Sequence, residues 1–429
     1  MNTEKEYDVI VVGSGAGGST VAREMTKKGK KVLLLERGGN FKWMGNTFTL
    51  TQIYKRMGLT RSTEGYNVVF PDNLGGASNI TAGCALPPQK SVWDPVGINL
   101  EAEAEEARGD LGIQVLPDEL IGKTNIRIME AANEAGYNWH RLENFIDPAQ
   151  CTGSGDCMLG CKNGAKWTAR EYIDEALTEG MDLKLHTRAK EIIVENGKAI
   201  GVKAGCMGKT KNFYGKKIVL SAGLDNVHLL RKAGIDEAGR GFCCDWLQFV
   251  GGIIPGLNTA SGNSPMTVGT NEHYETDGLV LTPVFPNWTM FAAVLFFMGM
   301  GHMAKFPNYW KYSGVMVKVR DETRGEIFKG LKFSKPVTDA DQKKLDKGVD
   351  IITKILKQAG APESSILPLK PMGAHPSATC RIGEVVDTNL KTEIDNLYCC
   401  DASVMPASLG TPVIWTVVSL GKRLAKHLG

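Results

Sequence analysis

Two stretches of this sequence carry residues whose types and spacing can do chemistry. The first is Gly13-Ser14-Gly15-Ala16-Gly17-Gly18, a G-x-G-x-x-G pattern in which Gly13, Gly15, Ala16 and Gly18 let backbone N–H groups approach a pyrophosphate. The second holds the thiols Cys151, Cys157 and Cys161. They keep the first, third and fourth positions of the C-x2-C-x2-C-x3-C iron–sulfur run, with Ser154 at the second and Lys162 where proline would follow. Two readings stay open for this run. It holds an iron–sulfur cluster that passes electrons to a protein partner, or it is a Gly/Cys turn with soft buried thiols.

The elements that must position the glycines stand in register around them. Residues 8–12 read as a strand running straight into Gly13, residues 19–28 as a helix, and residues 31–35 as a second strand. Glu36 ends that strand about 20 residues past the glycines, where a carboxylate accepts from ribose hydroxyls, and Arg37 stands beside it. This is a complete βαβ dinucleotide fingerprint. Residues 216–223 and 395–403 also read as strands that end in small residues. The first closes on Ala222 and Gly223, which lets backbone approach a nucleotide. The second ends at Asp401 and Ala402, and a carboxylate there suits the ribitol chain of FAD, an arrangement NAD does not need.

Composition removes several classes of function. Fifty basic residues against forty-seven acidic ones give a net charge of +3, and no basic run is interleaved with aromatics, so nucleic acid is not an expected partner. The 42% hydrophobic content and the 50 glycines are those of a globular α/β chain. Ten scattered cysteines suit a reducing compartment. Residues 1–7 are polar and lack a signal-peptide pattern, so the expected location is cytoplasmic. Residues 289–303 carry no charge and are rich in Met and Phe. They fall short of the roughly 20 residues of a membrane span, which leaves a buried helix, a wall of an apolar substrate cavity, or a peripheral membrane contact.

Elsewhere, residues 122–136 and 171–180 read as helices, and residues 195–198 as a hairpin turn. Residues 339–359 read as a helix with Leu345, Val349, Ile352, Ile355 and Leu356 on its core face. The expected fold is α/β: a doubly wound FAD-binding domain assembled from residues 1–95, 140–250 and 365–429. An α+β substrate lobe takes residues 96–139 and 251–364.

At this point the sequence resembles the glucose-methanol-choline (GMC) flavoprotein oxidoreductases, nearly from end to end. The resemblance is carried by the N-terminal fingerprint, by Asn73-Leu74-Gly75-Gly76-Ala77-Ser78, by Ser221-Ala222-Gly223 with the helical Leu229-Leu230-Arg231-Lys232-Ala233-Gly234, and by the C-terminal block from His375 to Leu420, which opens His375-Pro376-Ser377-Ala378-Thr379 and includes the Asp401 strand. It implies that Gly75, Gly76 and Ser78 cover the flavin diphosphate and ring. It implies equally that His375 stands at the reactive face of the flavin. Hydride from an alcohol would pass to flavin N5, with His375 as general base for the hydroxyl proton.

Three positions depart from the family's pattern: Thr81 replaces an Asn, Ala378 a Gly, and Thr411 the His or Asn before Pro412. Thr411 reads as an N-cap with Pro412 at the first helical position, or as a hydroxyl for the substrate oxygen. The helix that follows, from Val413, would turn its N-terminus to the flavin. The implied activity is oxidation of an alcohol, or reduction of a ketone, with a lipophilic substrate suggested by residues 289–303 and an electron acceptor other than oxygen. The rival readings are a flavin-dependent lyase or decarboxylase, and an electron-transfer subunit of an iron–sulfur complex.

Overall fold

The computed structural model describes residues 6–41, 43–49, 61–69, 71–206, 208–259, 262–285 and 287–429; residues 1–5 of the N-terminal reading lie outside them. The chain opens with β1 (Glu6–Val12), α1 (Ala16–Lys27), β2 (Val32–Leu35), α2 (Ala169–Thr178), β3 (Asp182–Lys184), β4 (Arg188–Glu195), β5 (Lys198–Cys206) and β6 (Lys209–Leu220). Next come β7 (Trp246–Ile253), β8 (Leu279–Pro283), β9 (Tyr312–Val319) and α3 (Asp339–Gln358). The chain then returns in β10 (Leu397–Cys399) and ends in α4 (Ile414–Leu428).

The first sheet runs β3-β2-β1-β6-β5-β4, with β10 also paired to β6. Its strands β3, β2, β1, β6 and β10 are mutually parallel. Strand β6 joins two patterns. Its first half pairs antiparallel with β5, from Lys209↔Cys206 to Tyr214↔Gly201, and its second half lies parallel to β1 as far as Val12↔Leu220. Val9, Ile10 and Val11 are buried in succession, the pattern of a strand covered on both faces. The β4–β5 hairpin turns at Asn196 and Gly197, whose positive φ values of 50° and 77° match the twist of the strands they join.

The second sheet is antiparallel, β8-β9-β7, and α3 packs on β7 and β9. Leu345, Ile352, Ile355 and Leu356 of α3 are buried, and Thr338 with Asp341 forms a capping box at its start. Helix Glu101–Asp110, expected in the substrate lobe, lies against α4, where the Trp415 indole donates to the Ala104 carbonyl at 2.8 Å.

Candidate active site

Parallel α/β sheets bind ligands beyond the carboxyl ends of their strands, and one cleft here collects those ends. Val12 at the end of β1, Glu36 after β2, Ser221 after β6 and Asp401 after β10 all line it. The space amounts to about 1200 Å³ measured out into its open mouth. Gly13, Gly15, Ala16, Arg37, Gly76, Ser78, Ala222, Gly223, Ala402 and Val413 line it as well, while Gly18, Gly75 and Pro412 do not.

The glycines divide by task. A Cβ on Gly17 would stand 2.0 Å from the Cys400 carbonyl oxygen, and one on Gly18 the same distance from that of Gly13. These two let α1 close on the sheet. A Cβ on Gly15 would meet nothing within 4 Å, so its bare face borders the cleft. Opposite it, Gly76 backs onto Gly15, with a Cβ there 3.1 Å from the Gly15 Cα, and the Gly75 N–H donates to Ser14 Oγ at 3.0 Å. A pyrophosphate fits between these glycine surfaces at the N-terminus of α1, which no side chain caps.

Asn73 supplies a further test of fit. Its side chain lines the cleft and is buried, yet neither its amide nitrogen nor its amide oxygen has a partner among the described residues. Buried amides are ordinarily satisfied, so this pair is suited to a bound polar group. Glu36 faces the cleft with Oε2 accepting from Ser14 Oγ at 2.5 Å and Oε1 from the Gly38 N–H at 2.6 Å. Remaining lone pairs are there for a ribose hydroxyl. Asp401 accepts from the Gly223 N–H and the Asn226 amide, at 2.8 and 2.9 Å, and so ties the ends of β6 and β10 together; burial raises its pKa. Arg37 is neutralised by Asp72 and Asp225. The residues present fit FAD.

His375 lies beside the cleft-lining Pro376, on a loop that pairs with residues 243–245. The His375 N–H donates to the Cys244 carbonyl at 3.1 Å, and Cys243 and Ser377 exchange backbone hydrogen bonds. This pairing brings Asp245 to the imidazole, with Oδ2 2.9 Å from Nδ1. Two residues here hold positive φ without being glycine, Asp245 at 45° and Ala378 at 60°. The left-handed conformation of Ala378 explains why a glycine suits that position.

Behind the imidazole lies a buried chain of charges. Lys318 Nζ is 3.3 Å from Asp245 Oδ2, 2.6 Å from His375 Nδ1 and 3.3 Å from the Thr411 carbonyl. Asp245 Oδ1 accepts from the Ser408 hydroxyl at 2.6 Å and the Gly410 N–H at 3.0 Å. Asp321 accepts from the Asp245 N–H and pairs with Lys335 at 2.8 Å, both side chains being fully buried. Burial works against the Asp245 anion, but Lys318 and the bonds from His375 and Ser408 outweigh it and hold the carboxyl well below the usual range. Burial, then the charge of Lys318, press His375 below the ordinary imidazole value, against the pull of Asp245.

Two expectations need correction. Thr411 is not a cap: α4 begins at Ile414 with Val413 at its N-cap position, and the buried Thr411 hydroxyl has no partner among the described residues. Nor are the three thiols placed as a metal site, which favours the other reading of the run, a Gly/Cys turn. Cys151, Cys157 and Cys161 border one small cavity, but among the described residues no three His, Cys, Asp or Glu side chains are placed to share a metal ion. Burial pushes the Cys157 thiol up to about 12. The buried Lys166 ammonium organises this loop instead. It donates to the carbonyls of Asn79 and Thr81 at 2.8 Å and of Cys157 at 3.0 Å, tying the loop to the turn that holds Ser78.

Sequence reasoning missed Asp245, Lys318 and Asn73 as site residues. Asn73 had a signal, since it opens the Asn-Leu-Gly-Gly stretch. Asp245 and Lys318 had none, because each reaches His375 only through tertiary pairing.

A dinucleotide-binding parallel sheet with a glycine-walled cleft and an imidazole at its edge defines an FAD-dependent oxidoreductase. Residues 50–273 and 331–421 match the N- and C-terminal parts of the GMC oxidoreductases, and residues 11–47 match an NAD(P)-binding Rossmann-like domain. The chain belongs to the GMC oxidoreductase family. It is 25% identical to an uncharacterised protein of Methanocaldococcus jannaschii across 98% of this chain and all of that one. A long-chain-alcohol oxidase of Arabidopsis thaliana is 23% identical across 98% of this chain and 68% of its own. A cholesterol oxidase of Acinetobacter baumannii is 25% identical across 47% of this chain and 45% of its own. In fold, the chain is similar to pyridoxine 4-oxidase from Mesorbium loti, with a TM-score of 0.72, 17% identity, and 98% and 99% of the two chains covered. Formate oxidase of Aspergillus oryzae is similar too, with a TM-score of 0.76, 15% identity, and 99% and 98% covered.

Proposed function

We propose that this flavin oxidoreductase is a dehydrogenase of an apolar alcohol, with His375 as the group that takes the hydroxyl proton and an acceptor other than oxygen receiving the electrons. The observation that carries this reading is the Asp245–His375 pair at the edge of the cofactor cleft. With Nδ1–H donated to Asp245, His375 keeps Nε2 unprotonated for a substrate hydroxyl, and the carboxylate fixes the tautomer and the ring's orientation. Bound FAD supplies the acceptor for the carbinol hydrogen and its electron pair. The unpartnered Thr411 hydroxyl, whose own carbonyl touches Lys318, stands as a donor for the substrate oxygen.

An apolar substrate is supported by the cluster next to this site. Leu247, Met266, Val280, Val284 and Met316 are buried together, with Met158, Phe249, Met372 and Ala374 partly open against them. Ala374 adjoins His375, and Cys84 of the same cluster faces Lys318. Methionine-rich packing of this kind can rearrange around a flexible chain. Long-chain alcohols and cholesterol are the substrates named for two relatives, which supports the same class.

A peripheral membrane contact through residues 289–303 is part of the proposal. Helix Trp288–Met298 and the turn after it bury Phe291 and Leu295 but expose Trp288, Phe296, Met300 and Trp310. Among the described residues no helix is long and apolar enough to cross a membrane. An apolar alcohol would reach the site from the lipid side of such a contact.

The test is anaerobic mixing of the purified flavoprotein with primary alcohols and sterols of graded chain length. Bleaching of the oxidised flavin spectrum that grows with chain length, followed by turnover with a dye acceptor, is expected. A spectrum no alcohol reduces would refute the reading and favour chemistry without net electron transfer.

A further inference from the structure

We propose that Lys318 is a positioning residue for His375: its ammonium, shared between Asp245 and the imidazole, cancels the pull of the carboxylate, so that the ring is oriented by Asp245 yet stays uncharged. This rests on the reading of His375 as the proton-taking group.

The geometry separates orientation from charge. A donor aimed down the in-plane lone pair of Nδ1 would lie much farther from Nε2 than from Nδ1. Lys318 Nζ is 2.6 Å from the first and 3.4 Å from the second, so it sits over the ring face, and the in-plane direction at Nδ1 is left to Asp245. In a Ser-His-Asp triad the buried carboxylate stabilises the imidazolium. Here the same carboxylate is already half of an ion pair.

The charges close without His375. Asp245 has Lys318, and Asp321, directly behind it, has Lys335. Two acids and two lysines leave the buried group neutral, and protonating His375 would place an unmatched cation against Lys318. Other titratable groups around these residues are Cys84, which faces Lys318, Tyr274, which faces Asp245, and Cys243 and Cys244, which face Asp321, Lys335 and Asp245; burial raises the pKa of all four, so none supplies a compensating charge near neutrality. Burial and Lys318 lower the His375 pKa together.

Exposure shows which group meets the substrate. The side chain of His375 keeps 25% of its surface, against 3% for Lys318 and 1% for Asp245. Lys318 therefore acts through His375. Its other donor bond, to the Thr411 carbonyl, fixes the segment that leads into α4, and this couples the imidazole to the rim of the cofactor cleft.

The measurement is the titration of His375 in the purified flavoprotein, followed by NMR of 13C-labelled histidine and assigned from the signal lost in H375N. Wild type is expected to stay neutral to below the ordinary imidazole value of about 6.5. In Lys318→Gln the same signal should titrate about one to three units higher. The acid limb of kcat/KM should move to higher pH with it, while Lys318→Arg keeps the wild-type value. A His375 that titrates identically with and without the lysine charge would overturn the proposal, even if alcohols are oxidised. Conversely, the NMR signal is read without substrate, so a failure of alcohol turnover leaves the proposal standing. Should Lys318→Gln not fold, wild type decides: titration at or above the ordinary value overturns the proposal, and titration below it supports it.

Discussion

Around the cofactor cleft the decisive residues lie in single turns of chain and act through their backbone, whereas around His375 they come from four separate stretches and act through buried charge. Gly13 and Gly15 sit in the short loop between β1 and α1, and Gly18 in the first turn of α1. Asp245, Lys318, His375 and Thr411 meet only because the 243–245 loop pairs with the 375–377 loop and β9 lies beneath both. The first region is a shape into which a cofactor settles. The second is a set of charges whose balance fixes a protonation state, and the two should fail differently.

The largest effect is expected at His375 itself. Replacing it with Asn should lower kcat/KM by about 10²–10⁴, the usual worth of a positioned base, and leave the FAD content per chain unchanged. Loss of FAD from this variant would break the separation between the two regions. Next comes Lys335→Met, which strands the fully buried Asp321 carboxylate. Breaking one side of such a pair costs about 3–5 kcal/mol, which denaturant unfolding would read, and Lys335→Met combined with Asp321→Leu should recover much of it. An undisturbed single variant would mean that Asp321 is already protonated in the wild type.

A pair of alanines sharpens the comparison from the other side. Gly17→Ala drives a Cβ into the Cys400 carbonyl, and overpacking of this kind costs about 1–3 kcal/mol in the apoprotein. Gly15→Ala meets only open space, so the apoprotein should keep its stability to within about 0.5 kcal/mol and lose affinity for FAD instead. Should both variants weaken the apoprotein alike, the division of the glycines into fold and cofactor roles would be wrong.

Legibility in the sequence follows the same division. The βαβ unit, the return of the chain at Asp401, the 196–197 hairpin and the core face of α3 rest on local period and turn chemistry, and could be placed from residue types. His375 was reachable through the family's pattern. Asp245 and Lys318 were not, because a lone Asp after two cysteines and a lone Lys in an apolar strand look like surface charges until the sheet pairs them. The cysteine run stayed ambiguous for a related reason. Spacing fixes only which thiols lie near one another along the chain, while the buried Lys166 ammonium that organises that loop lies just beyond it and draws its acceptors from residues 78–81. Thr411 misled because a Thr-Pro pair is a capping signal, yet here the segment is held by its carbonyl to Lys318 and the helix starts later.

The smallest effect on the fold is expected where a third kind of surface appears, neither cleft nor charge cluster. Trp288 is 52% and Met300 72% exposed, so Trp288→Ser and Met300→Ser should each leave stability within about 0.5 kcal/mol. No acidic residue falls between 288 and 311, and Lys305 and Lys311 do, so an anionic lipid surface suits this face in both its apolar and its ionic character. Co-sedimentation with vesicles of anionic phospholipid should therefore fall in both variants and weaken for wild type as salt rises, because the basic share of the attraction is screened. Binding that persists in the double variant would move the contact elsewhere on the molecule. Binding lost with apolar-alcohol turnover retained on dissolved substrate would show that this face delivers substrate and takes no part in the proton transfer at His375.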